Sequence, residues 1–278
     1  MKQSHLRALQ RVYLVLLFSF MYVPIAVMAV FSFNESKSRT IFTGFTFKWY
    51  KSLFHNEMIL SALGLSLVVA LIAAVVATVV GTAAAIGINA MGKRSQAVIN
   101  NISYMPVVNP EIITGVSLML LFVVVKDGIA WANQNLGWIL PENIFGLPTL
   151  LIAHISFCLP YVIFNVSPKL RQLDVRVYEA ALDLGCNPKQ AFFKVVLPEL
   201  APAILSAFLI CLTYSIDDFL ISYFTSGTTQ TLPIVIYSMT RKKVSPEINA
   251  LSTVMFLVIL AIILFYNYLD GRRERRKA

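Results

Sequence analysis

Charge is scarce in this chain. Asp, Glu, Lys and Arg make up 13% of its 278 residues, where soluble domains carry roughly 25%. That shortage, with a mean hydropathy of +0.73, excludes an ordinary water-soluble globule and places the chain in the membrane class. Cysteine and histidine are scarcer still, at three each. Cys158, Cys186 and Cys211 are far apart and odd in number, which excludes a disulfide framework. His5, His55 and His154 lie in different segments and form no ligand cluster. No GxxxxGK phosphate loop, HExxH pair or serine elbow occurs. The energy for any driven work therefore enters from another chain or from an ion gradient, and no segment between the apolar runs is long enough for a soluble domain.

What remains is apolar, at 58%. A helix needs about 20 apolar residues to cross roughly 30 Å of hydrocarbon, and six such runs occur: 12–33, 61–89, 102–126, 149–167, 203–225 and 249–269. They lack strand alternation, so they predict helices. The first run is too long for a signal h-region and predicts an uncleaved span. The segment 127–148, with Trp131, Trp138 and Pro141, predicts an interfacial piece at the outer surface. The net charge of +9 does not imply nucleic acid, because its distribution follows the membrane. With both termini cytoplasmic, Lys2, Arg7, Arg11, Lys93, Arg94, the basic residues of 169–194 and the 272–277 tail fall inside. Fewer fall outside: Lys37, Arg39, Lys48, Lys51, Lys126 and the 241–243 run. The positive-inside rule selects this orientation. The tail then anchors at the inner lipid surface, and the 241–243 run is solvated charge or a contact for an acidic partner.

One cytoplasmic stretch is neither span nor tether: EAALDLGCNPKQAFFKVVLPEL, 179–200. Val175, Tyr178 and Leu182 have helical spacing, and Gly185 suits the left-handed position that ends a helix. Asn187 suits an N-cap, Pro188 the first helical position and Gln190 the third. Phe192 with Val196 and Phe193 with Leu197 make i, i+4 pairs, and Pro198 marks an end or a kink. The pattern predicts a short helix, a sharp corner and a second short helix.

Glu179-Ala180-Ala181, three residues, Gly185, nine residues and Val195-x-Leu197-Pro198 resemble the EAA loop of ABC importer permeases, with Val195 where isoleucine is usual. AHISFCLPYV (153–162), YSIDDFLISYFTSG (214–227) and TLPIVIYSMTRKKVSPEINALST (231–253) are similar to the spermidine/putrescine permease, C-type subunit. The likeness covers essentially the whole chain and is weakest at its ends.

The resemblance implies an all-α integral membrane permease of the type I, MetI-like kind. It has six transmembrane helices in one domain, 1–278, in the bacterial cytoplasmic membrane. The loop 168–200 would carry the coupling helix, with Glu179, Ala180, Ala181, Gly185, Cys186, Asn187 and Pro188 docking a cytoplasmic ATPase. The implied partners are an ATPase dimer that holds ATP and magnesium, a companion permease and an extracytoplasmic polyamine-binding protein. This chain itself would hold no cofactor and be no enzyme.

Ionisable residues inside spans are costly and default to functional roles. Asp217 and Asp218 lie in the fifth run, and Glu111 follows Pro110 near the third. Carboxylates beside the aromatic faces of Tyr214, Phe219 and Tyr223 suit extended organic cations. Adjacent helical residues point about 100° apart, so one aspartate faces a path while the other caps or pairs. The i, i+4 relation to Tyr214 favours Asp218. A gradient-driven transporter is the rival class, but it has no use for the elbow, and no duplicated half supports it. A membrane enzyme lacks a catalytic constellation. Iron, sulfate or amino-acid cargo stays open within the importer class.

Overall fold

The computed structural model describes residues 3–38, 40–141, 143–242 and 246–275. Lys2, Arg39, Lys243, Arg276 and Lys277, used in the charge argument, lie outside the described residues. The described residues are helical, with one isolated antiparallel bridge, Asn34 to Phe45, and no strand among them. They form two compact units, one from the stretches up to Leu60 and from Ile236 onward, the other Ser61–Val235.

The first unit holds α1 (Gln3–Phe31), α2 (Lys48–His55) and α12 (Pro246–Arg275). Its loop is organised by Asn34, which is fully buried. The Asn34 amide donates to the carbonyls of Ser38 (3.1 Å) and Ile41 (2.9 Å), and its oxygen accepts from the Thr43 amide at 2.9 Å. Trp49 of α2 donates its indole N–H to the Asn34 carbonyl at 2.7 Å. Ser52 and Asn56 hydrogen-bond Glu247, tying α2 to α12.

The second unit contains most of α3 (Glu57–Asn89), then α4 (Lys93–Val108), α5 (Glu111–Leu136) and α6 (Leu147–Gln172). It continues with α7 (Val175–Asp183), α8 (Pro188–Ala191), a π-helical turn (Phe192–Val196), α9 (Leu197–Asp217) and α10 (Leu220–Thr225), and takes in the start of α11 (Leu232–Lys242). Its core joins α3, α6 and α9 through small residues: Ala74, Ala77 and Ala85 meet Cys158 and Val162 of α6 and Ala207 and Cys211 of α9. Small side chains let helix backbones approach closely, the usual packing device in lipid.

Five described helices are long and apolar enough to cross a membrane: Leu9–Phe31, Glu57–Asn89, Glu111–Leu136, Leu147–Gln172 and Pro188–Asp217; Pro246–Ala261 is a shorter apolar stretch. Three expectations change. The run 102–126 is broken, because Asn109 precedes Pro110 and takes an extended backbone (ψ 140°), so the apolar helix starts at Glu111. Pro disfavours the α conformation in the residue before it. That helix runs on to Leu136, where Gly137 (φ 70°) ends it, so Trp131 lies in the helix that the run was expected to leave at residue 126.

The second elbow helix does not end at Pro198. Pro188–Asp217 is one 30-residue helix that absorbs the proline through the π turn, in which the Leu197 amide donates to the Phe192 carbonyl. Widening one turn removes the clash that a proline ring makes with the carbonyl four residues back. The expected i, i+4 side-chain pairs Phe192–Val196 and Phe193–Leu197 therefore fall on a widened turn, where the regular α spacing behind them is lost.

Candidate functional site

Two regions of the second unit carry chemistry. The first is the elbow. Asp174 caps α7 by accepting from the Arg176 amide at 3.0 Å. α7 then ends in a Schellman pair: the Gly185 amide donates to Leu182 at 2.9 Å, and the Cys186 amide to Ala181 at 3.1 Å. This requires Gly185 at φ 89°. The next helix opens on a reciprocal capping box, with the Gln190 amide donating to the Asn187 side chain at 2.8 Å and the Asn187 amide to the Gln190 side chain at 3.2 Å. Pro188 takes the first helical position. Ala181 and Ala191 are buried, whereas Glu179, Ala180, Leu184, Gly185, Asn187, Pro188 and Phe193 are exposed and Cys186 is half-buried. The corner thus has one face packed on its own chain and one face open.

The second region is a cavity of about 180 Å³ lined by Pro106, Glu111, Thr114, Phe157, Tyr161, Tyr214, Asp217, Asp218 and Ile221. It gathers four of the six residues singled out in the sequence: Glu111, Tyr214, Asp217 and Asp218. Phe219 and Tyr223 are not in its lining; their rings pack together at 5.6 Å. Tyr161 and Tyr214 form an aromatic wall with ring centres 4.7 Å apart.

The two aspartates are in different situations. α9 stops at Asp217, and Asp218 takes an extended backbone (ψ 121°) before the helix restarts at Leu220. The i, i+4 face expected for Tyr214 with Asp218 is therefore not formed. The freed amides of α10 are satisfied by the Asp218 carboxylate, which accepts from the Ile221 amide (3.3 Å), the Ser222 amide (2.7 Å) and the Ser222 hydroxyl (2.8 Å). Helix amides freed next to an apolar run need such substitutes, because lipid offers none. The Asp218 side chain is 5% exposed; Asp217 is exposed at the cavity.

Sequence reasoning missed the partner of this cap. His154 of α6, 1% exposed, places Nδ1 2.6 Å from Ser215 Oγ and Nε2 2.9 Å from Ser222 Oγ, with Asp218 Oδ2 3.6 Å away. The available signal was a lone histidine inside an apolar run. Among the described residues no group of three or more His, Cys, Asp or Glu side chains could hold a metal.

Residues 77–278 match the family described as "Binding-protein-dependent transport system inner membrane component". The chain is 37% identical over 270 residues to the putrescine transport system permease protein PotI of Escherichia coli K12, covering 96% of this chain and 92% of that protein. It is 34% identical over 256 residues to the spermidine/putrescine transport system permease protein PotC of Haemophilus influenzae, covering 92% and 93%. A chain of the crystal structure of a bacterial ABC transporter involved in the import of the acidic polysaccharide alginate superposes with a TM-score of 0.72 at 19% identity, covering 96% of this chain and 95% of that one. The chain belongs to the inner-membrane permease family of binding-protein-dependent transport systems, and its fold is that of ABC importer permeases.

Proposed function

We propose that this chain is a permease subunit of an ATP-driven polyamine importer and forms half of the translocation path with a companion permease. The observation that carries the cargo assignment is the cavity, where Glu111 and Asp217, from two helices, meet the Tyr161–Tyr214 wall. Carboxylates set apart beside aromatic faces suit a methylene chain ended by ammonium groups. The likeness to PotI and PotC, named for putrescine and for spermidine with putrescine, supports the same cargo. In this reading Asp217 and Glu111 face the cation, and Asp218 holds the break that presents Asp217. The corner from Glu179 to Pro188 seats in one subunit of a cytoplasmic ATPase dimer, in the helix-in-groove manner. ATP and magnesium are held there, and this chain contributes no catalysis. A binding protein delivers cargo from outside, and both termini lie in the cytoplasm.

The test is copurification followed by reconstitution. An ATPase should copurify with the chain, and its hydrolysis should rise with a binding protein loaded with putrescine or spermidine. An assembled complex indifferent to both polyamines would overturn the cargo assignment.

A further inference from the structure

α6 holds α9 through Cys158 and Cys211 and holds α10 through Thr149 and the Thr225 carbonyl, but one of its side chains reaches both sides of the break through a hydroxyl on each. Ser215 is on the last turns of α9 and Ser222 on the first turn of α10. His154, projecting from α6, reaches both hydroxyls, at 2.6 and 2.9 Å. One tautomer satisfies the group. The Ser222 hydroxyl is donated to Asp218, so its oxygen accepts from Nε2–H, and Nδ1 accepts the Ser215 hydroxyl. The Nε2–H also faces the carboxylate that caps α10, at 3.6 Å. A satisfied buried histidine within a single helix pair would only fill space; this one bridges the two halves of an interrupted helix.

We propose that His154 is a positioning residue: its imidazole is a crossbar that fixes α9 against α10, and so fixes Asp217 and Tyr214 of α9 opposite Glu111 in the cavity. The proposal rests on the cavity being part of the cargo path. The crossbar itself predicts a local change that needs no cargo. Without the ring, Ser222 and Asp218 lose a neighbour, and the cap on the Ile221 and Ser222 amides loosens.

The experiment uses the assembled complex in lipid nanodiscs and proteoliposomes, with His154→Leu, His154→Gln and Ser215→Ala. The glutamine amide supplies one donor and one acceptor spaced like the two ring nitrogens, so it should rescue. Hydrogen–deuterium exchange of the 219–225 segment should quicken about tenfold in His154→Leu, the effect of one lost charge-linked contact, and stay within about twofold in His154→Gln. Uptake of labelled putrescine per ATP hydrolysed should fall about tenfold in His154→Leu while ATP hydrolysis persists, and recover in the glutamine variant. Unchanged exchange in His154→Leu, or equal damage from leucine and glutamine, overturns the crossbar. If His154→Leu does not assemble, Ser215→Ala decides, since it removes one strut and keeps the ring; exchange like the parent's refutes the proposal. If the parent complex imports neither polyamine, the cargo assignment falls, and the exchange result still judges the crossbar alone.

Discussion

The amide of Cys186 reaches back over Gly185 to the carbonyl of Ala181 at 3.1 Å, closing the corner that follows α7. Nothing lies within 4 Å of where a Gly185 side chain would begin, so the only obstacle to one is the backbone angle of φ 89°. Gly185→Val should strain the corner by about 1–2 kcal/mol. The subunit should still insert, while putrescine uptake is lost. Normal uptake in well-inserted Gly185→Val would remove the corner from the mechanism.

The two aspartates should respond differently. Asp217→Asn keeps shape and removes charge, so uptake should fall roughly tenfold, the worth of one charge-assisted contact, with thermal stability unchanged. Asp218→Ala removes a cap and should cost about 1–2 kcal/mol, seen as a lower unfolding temperature of the purified complex. Equal effects on stability would collapse the distinction between path and cap.

Single cysteines at positions 187–189 should crosslink to the ATPase, with yields that change between nucleotide-free and ATP-bound complexes. An intact complex that gives no crosslink from any of the three would rule out docking at this corner.

A reporter fused after residue 92 or at residue 278 should read cytoplasmic, and one at residue 235 external. A cytoplasmic signal at 235 would invert the orientation and detach the elbow from any cytoplasmic partner.

α3 and α6 touch where Gly81 faces Val162: a Cβ at Gly81 would sit 2.7 Å from the Val162 Cβ. Gly81→Leu should destabilise by about 1–3 kcal/mol through overpacking, read from thermal unfolding in detergent. An unshifted transition would mean that the two helices part more readily than their packing implies.

The elbow was legible because its signals are local. Gly185, Asn187, Pro188 and Gln190 each state a backbone preference within a few residues of chain. The acidic cavity was legible in part, since charge inside apolar runs stands out at any depth. The break at Asp218 was not, because Asp-Asp-Phe inside a long apolar run has no glycine or proline to announce it. Its polar backbone is satisfied by Asp218 itself, which accepts from the Ile221 and Ser222 amides, while a histidine on α6, far away in sequence, contacts Ser215 and Ser222 on either side of it. The π turn escaped notice for the opposite reason. Pro198 signals a helix end or a kink, and a one-residue widening meets the same steric demand without ending the helix.

The helix from Pro188 to Asp217 has consequences as a machine part. Its 30 residues, at about 1.5 Å each, make a rod of roughly 45 Å with the elbow as its foot and Asp217 at its tip. The π turn carries one residue more than the α turn it replaces, and each residue advances a helix by ~100°. It therefore sets the phase between foot and tip, like the throw of a crankshaft. Deleting one residue within Phe192–Val196 would leave every apolar contact type available yet turn the foot about a quarter-circle from the tip. If the ATPase seats at the elbow as proposed, a push at Pro188 would reach Asp217 along this rod, in a rotational phase that the single inserted residue sets.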